Sequence, residues 1–154
     1  MSAPSPKRAL RGRALVAGSA RGRALVLDEP LSLWGGMDPE TGKLTDPHHP
    51  QFGAVLQGHI LLMPSGRGSS SSSSVLAEAV RLGSAPAAVV FLAPDPIVVL
   101  GSIVAGELYG RHVPVLTLGG PAYGSIRSGD VVRVDTEGGE AVVRVDPTDA
   151  STQA

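Results

Sequence analysis

Pro64-Ser65-Gly66-Arg67-Gly68, then six consecutive serines (Ser69 to Ser74), then Val75-Leu76: the reading of this stretch decides the fold. Val55-Leu56 and Ile60-Leu61-Leu62-Met63 precede it, and Val75-Leu76, Ala79-Val80 and Leu82 follow at helical spacing. Serine runs are commonly flexible linkers. A linker separates domains, whereas this run joins an apolar strand to a helix inside one continuous α/β pattern. Gly66 and Gly68 permit positive φ and a close approach of backbone to a ligand. The serines can cap the helix, whose free N–H groups attract a carboxylate or phosphate. Arg67 adds a planar, permanently charged fork. Together these features describe an anion pocket.

The spacing predicts a helix over residues 74–82, with Gly83 at its C′ position. Residues 87–92 read as a short apolar strand between Pro86 and Pro94, and Asp95-Pro96 as an N-cap followed by an N1 proline. Ile97, Leu100, Val104 and Leu108 fall on one helical stripe that Gly110 closes. Residues 113–118 form another buried strand, and strands over 131–135 and 141–145 flank the hairpin turn Thr136-Glu137-Gly138-Gly139-Glu140. Upstream, 55–63 reads as one strand, and 9–16 and 24–27 as two more around Gly18-Ser19-Ala20-Arg21-Gly22. A polar segment, 28–53, carries Pro30, Pro39, Pro47 and Pro50; so long a loop is more often functional than idle. The class is α/β: a β/β/α domain with a mixed or parallel sheet and two main helices. One domain is expected over 9–146, with disordered tails at 1–8 and 147–154.

A chain of 154 residues can bury a core, but aromatics make up only 3%, so Val, Leu, Ile and Ala must build it. Net charge of −1 gives no reason to expect nucleic acid or a membrane surface as partner. Lys7, Arg8, Arg11 and Arg13 are a local exception, read as a solvated tail with a modest contact role. Without cysteine there is no disulfide, thiol nucleophile, thiolate zinc site or iron–sulfur ligand in this polypeptide. No apolar run approaches 18 residues and no apolar signal-type segment follows the basic N-terminus, so a cytoplasmic protein is the expectation.

Several separated stretches carry a family resemblance. They are Leu27-Asp28-Glu29-Pro30-Leu31-Ser32-Leu33-Trp34-Gly35-Gly36, Asp38-Pro39-Glu40-Thr41-Gly42 and Asp46-Pro47-His48-His49-Pro50, with Pro64-Ser65-Gly66-Arg67-Gly68-Ser69-Ser70 and Ala85-Pro86-Ala87-Ala88. In this order, over about residues 12–145, they resemble the small subunit, or swivel domain, of the aconitase X proteins. The resemblance implies a swivelling β/β/α fold and a dehydratase acting on a hydroxy acid. It also implies a large partner subunit, in a heterodimer or higher assembly, that carries a metal or iron–sulfur centre and most substrate contacts. The Gly-Ser-Ser turn is similar to the serine loop of the aconitase swivel domain, where the first serine after glycine is the proton-abstracting base. That role falls on Ser69, with Ser70, Ser71 and Ser73 as rivals because the run is six serines long. Two substrates fit the family, cis-3-hydroxy-L-proline and mevalonate 5-phosphate. The Ala-, Arg-, Gly- and Pro-rich composition of a GC-rich genome tilts the reading to the first. A non-catalytic anion-binding or assembly module is the alternative from another class.

Dehydration needs a base for a C–H proton beside a carboxylate and assistance to the departing hydroxyl. Serine serves as base only where N–H dipoles and a cation stabilise its alkoxide. Arg67, Gly68, Ser70 and Ser73 are therefore the candidate substrate-binding residues around Ser69, whose plainer role would be an N-cap. Trp34, Asp46 and His49 are candidate positioning or interface residues. Asp38 and Asp46, each before a proline, also suit turn initiation, and Trp34 could be a core plug. His48 and His49, adjacent in sequence, point apart, so no metal site is assigned to this chain. His59 and His112 read as ordinary edge or core histidines.

Overall fold

The computed structural model describes residues 7–147; most of the two expected tails lies outside them. In chain order the elements are β1 (Arg8–Val16), β2 (Ser19–Val26), the short turn α1 (Leu33–Gly36), β3 (Met37–Asp38), β4 (Lys43–Leu44) and β5 (Ile60–Met63). There follow α2 (Ser72–Leu82), β6 (Ala88–Phe91), α3 (Pro96–Tyr109), β7 (Val115–Thr117), α4 (Gly120–Gly124), β8 (Val131–Glu137) and β9 (Glu140–Asp146). Seven strands close into a barrel in the order β1-β7-β6-β5-β2-β8-β9, while β3 and β4 form a separate two-stranded sheet. The sheet is mixed. β2, β5, β6 and β7 run parallel to one another, and the remaining barrel pairings are antiparallel.

Every residue of β5 and β6 is buried, as expected for parallel strands covered on both faces. Ile60, Leu62, Ala88 and Val90 point into the barrel against Val132, Val134, Val143 and Val145. Their alternates Leu61, Met63, Val89 and Phe91 point outward and meet Leu76, Ala79, Val80, Val98 and Ala105 of the two main helices. Two apolar cores therefore share one layer of strands. Tyr123 of α4 joins the barrel core; its hydroxyl has no hydrogen-bond partner among the described residues, and burial pushes its pKa up to about 12.

Several local expectations are met. Helix α2 ends at Gly83, Asp95 Oδ1 accepts the Ile97 N–H at 2.9 Å at the start of α3, and Gly110 closes that helix. The β8–β9 hairpin turns through Gly138 and Gly139, both at positive φ (59° and 85°), the conformation of a two-residue turn.

Others are corrected. The strand expected over 55–63 is confined to Ile60–Met63, because a turn at Gly58 intervenes. The stripe Ile97, Leu100, Val104, Leu108 is not the buried face of α3. Val98, Gly101, Ser102 and Ala105 are, leaving Leu100 52% and Leu108 64% exposed. The helix is apolar nearly all round, so periodicity carries no phase, and close packing selects the small residues. A Cβ at Gly101 would lie 2.8 Å from the Ser73 carbonyl oxygen of α2. Ser102 is fully buried, donating to the Val113 carbonyl and accepting the Val113 N–H at 2.9 Å. Nor are Arg8, Arg11 and Arg13 a tail. They lie in β1, paired with Val145, Val142 and Glu140 of β9.

Candidate active site

Since β2, β5, β6 and β7 are parallel, their carboxyl ends gather at one end of the barrel, the usual place for a site in such sheets. The segments leaving them are 27–32, 64–71, 92–95 and 118–119. The Leu27 N–H on the Leu62 carbonyl (2.8 Å) ties the first to β5, and the first two are joined by a parallel bridge between Leu31 and Gly66 and by an Arg67–Glu29 ion pair at 3.8 Å. The sequence reading of Arg67 missed Glu29, although that residue stands inside a quoted motif.

Within the serine loop each residue has its own role. Gly68 and Ser69 both take positive φ, 53° and 50°, and Ser69 is the only non-glycine residue to do so among those described. Such a conformation costs a non-glycine residue about 1–2 kcal/mol, and strain of this kind clusters at functional sites. Ser69 is exposed, and its Oγ accepts the Ser71 N–H at 3.3 Å. The N–H groups of Gly68, Ser69 and Ser70 have no backbone acceptor among the described residues.

Capping differs from the expectation. Ser71 is the N-cap but makes no side-chain bond. The N–H groups of Ser72, Ser73 and Ser74 reach the carbonyls of Ser69, Ser70 and Ser71 at 3.1–3.3 Å, so tight backbone turns replace hydroxyl caps. The Ser73 hydroxyl donates back to the Ser70 carbonyl at 2.9 Å. Ser72 is the residue that sequence reasoning overlooked. It is buried, and its Oγ accepts the Trp34 N–H at 3.1 Å and lies 3.3 Å from the Ser32 hydroxyl. One serine of six ties the 28–53 loop to α2; nothing in a uniform run marks which.

Gly66 also differs. It does not use positive φ. Space is the reason for glycine here: a Cβ would fall on the Asp95 carboxylate, 2.5 Å from its Cγ. The serine loop is thereby seated on the N-cap of α3.

Trp34 is 60% exposed, so it is no core plug, and its backbone is held beside the start of α2. Phe52, also in the polar loop, is exposed. Asp46 accepts the His48 N–H at 2.9 Å and Asp38 the Glu40 N–H at 2.9 Å, both short side-chain turns. His49 is 4% exposed. Its Nδ1 accepts the Gln51 N–H at 3.1 Å, so Nε2 carries the proton and donates to the Glu29 carbonyl at 3.1 Å. Gln51 in turn donates to the Val26 carbonyl and accepts the Asp28 N–H. His49 and Gln51 thus fix the backbone that presents Glu29 to Arg67, and neither ring nitrogen of His49 is left for a metal. His59 faces the Gln57 carbonyl, and His112 donates to the Ala17 carbonyl at 2.7 Å.

A mixed barrel backed by two helices, with a strained serine turn at the carboxyl end of its parallel strands, defines a swivel-type α/β domain. The family model for the aconitase X swivel domain matches residues 9–144, and the chain belongs to that family. It is 50% identical over 107 residues to cis-3-hydroxy-L-proline dehydratase of Pseudomonas aeruginosa, which covers 70% of this chain and 18% of that protein. The chain thus spans less than a fifth of that relative. It is 38% identical over 134 residues to the phosphomevalonate dehydratase small subunit of Pyrococcus furiosus, covering 87% of this chain and 94% of that one. Aconitase X of Thermococcus kodakaraensis, in its holo-form, superposes with a TM-score of 0.76 at 34% identity, over 90% of this chain and 98% of the other.

Proposed function

We propose that this chain is the swivel subunit of an aconitase X type hydro-lyase and contributes Ser69 as the base that takes the substrate C–H proton. The observation that carries the reading is the conformation of Ser69. It follows Gly68 in a second left-handed position, exposed at the helix entrance, with the Ser71 N–H directed at its Oγ. A donor on that oxygen and the Arg67 cation two residues away favour the alkoxide. Arg67, together with the N–H groups of Gly68 and Ser70, binds the substrate carboxylate, and Glu29 holds the guanidinium until the anion arrives. Ser73 supports the loop through Ser70.

In this reading the metal or iron–sulfur centre and the assistance to the leaving hydroxyl belong to a large aconitase X subunit. This chain's residues do not fit such a centre: it has no cysteine, and no three His, Asp or Glu converge among the described residues. Cis-3-hydroxy-L-proline is the favoured substrate, supported by the higher identity to the dehydratase of that name. Mevalonate 5-phosphate is the second candidate, supported by the length of the match to a small subunit. No described helix is long and apolar enough to cross a membrane; a cytoplasmic location is part of the proposal.

The test is reconstitution with the large subunit and assay of both substrates. This chain alone is expected to fold and to be inactive, self-associating through Trp34 and its apolar neighbours. Turnover by the single chain overturns the division of labour; a partnered complex inactive on both acids leaves a binding module. Arg67→Ala is expected to weaken binding of the anionic substrate by about 1.5–3 kcal/mol, the scale of a hydrogen bond to a charged group. Lys at this position restores only part, because the planar fork is lost. Unchanged affinity in the complex would mean that Arg67 stays with Glu29.

A further inference from the structure

Strands β2, β8 and β9 place three arginines abreast on the outer wall of the barrel. Arg21 pairs with Arg133, and Arg133 pairs with Arg144, in direct cross-strand register. With adjacent strands about 4.8 Å apart, the row spans about 10 Å. Like charges directly opposite one another destabilise a sheet, and any neutral polar residue would serve an idle solvated wall. A single carboxylate, Asp135, serves two of the three, at 3.2 Å from Arg133 and 3.6 Å from Arg144. Arg21 has no ion-pair or hydrogen-bond partner among the described residues. Ala9 of β1 continues the row beyond Arg144, and its short side chain leaves a groove.

That groove has a volume of about 400 Å³ and is lined by Lys7, Arg8, Arg21, Arg133 and Arg144 against one carboxylate, Asp146. Lys7 is paired with Asp146 at 3.9 Å and Arg8 donates to the Ser125 carbonyl, which leaves Arg21, Arg133 and Arg144, with Asp135 against the last two, to face a ligand. We propose that this groove is a binding site for a small multivalent anion of the diphosphate type. Guanidinium forks match phosphate oxygens bidentately, and the volume suits a small molecule. The basic strip is too short for a nucleic-acid backbone, since the adjoining groove along the same strands carries Asp135, Glu137 and Glu140. None of the lining residues is aromatic, so bases find no stacking surface. A protein partner would need a large apolar anchor, which Ala9, Val131 and Val145 do not offer. The site shares no residue with the serine loop.

The test is calorimetric titration of this chain with inorganic pyrophosphate at near-physiological salt, with thermal melts alongside. One saturable site and a rise in Tm with pyrophosphate are expected. Arg133→Ala and Arg144→Ala each weaken binding by about tenfold or more, Arg21→Ala does so without removing a side-chain hydrogen bond or ion pair among the described residues, and Arg67→Ala leaves it unchanged. Arg133→Lys keeps part of the affinity. Absence of saturable binding overturns the proposal, as does undiminished binding in the Arg133→Ala/Arg144→Ala double variant. Loss of binding in Arg67→Ala alone would place the anion at the serine loop and overturn it equally.

Discussion

Ser69→Ala in the reconstituted complex is expected to lower kcat by about 10²–10⁴-fold, the usual loss on removing a general base. KM, folding and partner binding should change little, because the Ser69 hydroxyl makes one long bond, to the Ser71 N–H, and is otherwise exposed. Exchange of the substrate C–H with solvent deuterium should vanish with turnover. The rival serines are separated by the same measurement. Ser70 is exposed, Ser73 donates back to a carbonyl and Ser72 is buried against the Trp34 turn. Near-normal exchange in Ser69→Ala, with loss in Ser70→Ala or Ser73→Ala, would move the base along the run. Exchange retained in all three variants would place the base in the large subunit.

Gly66→Ala is expected to have the largest effect on stability of any one-atom change in the site. The new methyl would meet the Asp95 carboxylate, which already caps α3 through the Ile97 N–H. Either the serine loop lifts or the cap breaks. Overpacking costs about 1–3 kcal/mol, and a lost N-cap about 1 kcal/mol. Denaturant unfolding should therefore show a loss of about 2–4 kcal/mol. The two residues should also be coupled. Asp95→Ala costs about 1 kcal/mol in the native background but less alongside Gly66→Ala, where the carboxylate is removed and only the Cβ of residue 95, at 3.0 Å, stays close. Simple additivity of the two losses would show that they do not share the contact.

What the sequence discloses and what it withholds divide along physical lines. Gly83, Asp95-Pro96 and Gly138-Gly139 are legible because capping and turn chemistry act over four or five residues. The apolar runs Ile60–Met63 and Ala88–Phe91 are legible because a strand covered on both faces needs no polar alternate. Barrel closure is not, since β1 and β2 are neighbours in sequence yet do not pair, standing apart by β7, β6 and β5 on one side of the ring and by β8 and β9 on the other. The phase of α3 is hidden by a helix that is apolar on every side, and its buried face was chosen by the closeness of Ser73 to Gly101. At the candidate site, motif order singles out Ser69, Arg67, His49 and Trp34. It cannot reveal that Gly66 is there for space, or that Arg67 already has Glu29 as counter-ion. Those facts depend on segments that meet only after folding.

The run of serines has a consequence at the level of the gene. A whole-codon insertion or deletion keeps the reading frame, and a stretch of one residue type would seem indifferent to the change. Here the positions are not interchangeable: Ser69 is held left-handed, Ser72 is buried on Trp34, and Ser73 backs onto Gly101. An added serine within α2 would rotate all that precedes it by about 100°, carrying the Ser72 hydroxyl away from the loop it holds. Added before Ser72, it would slacken the turn that presents Ser69. Copy number in this tract is thus under a geometric constraint that its composition conceals.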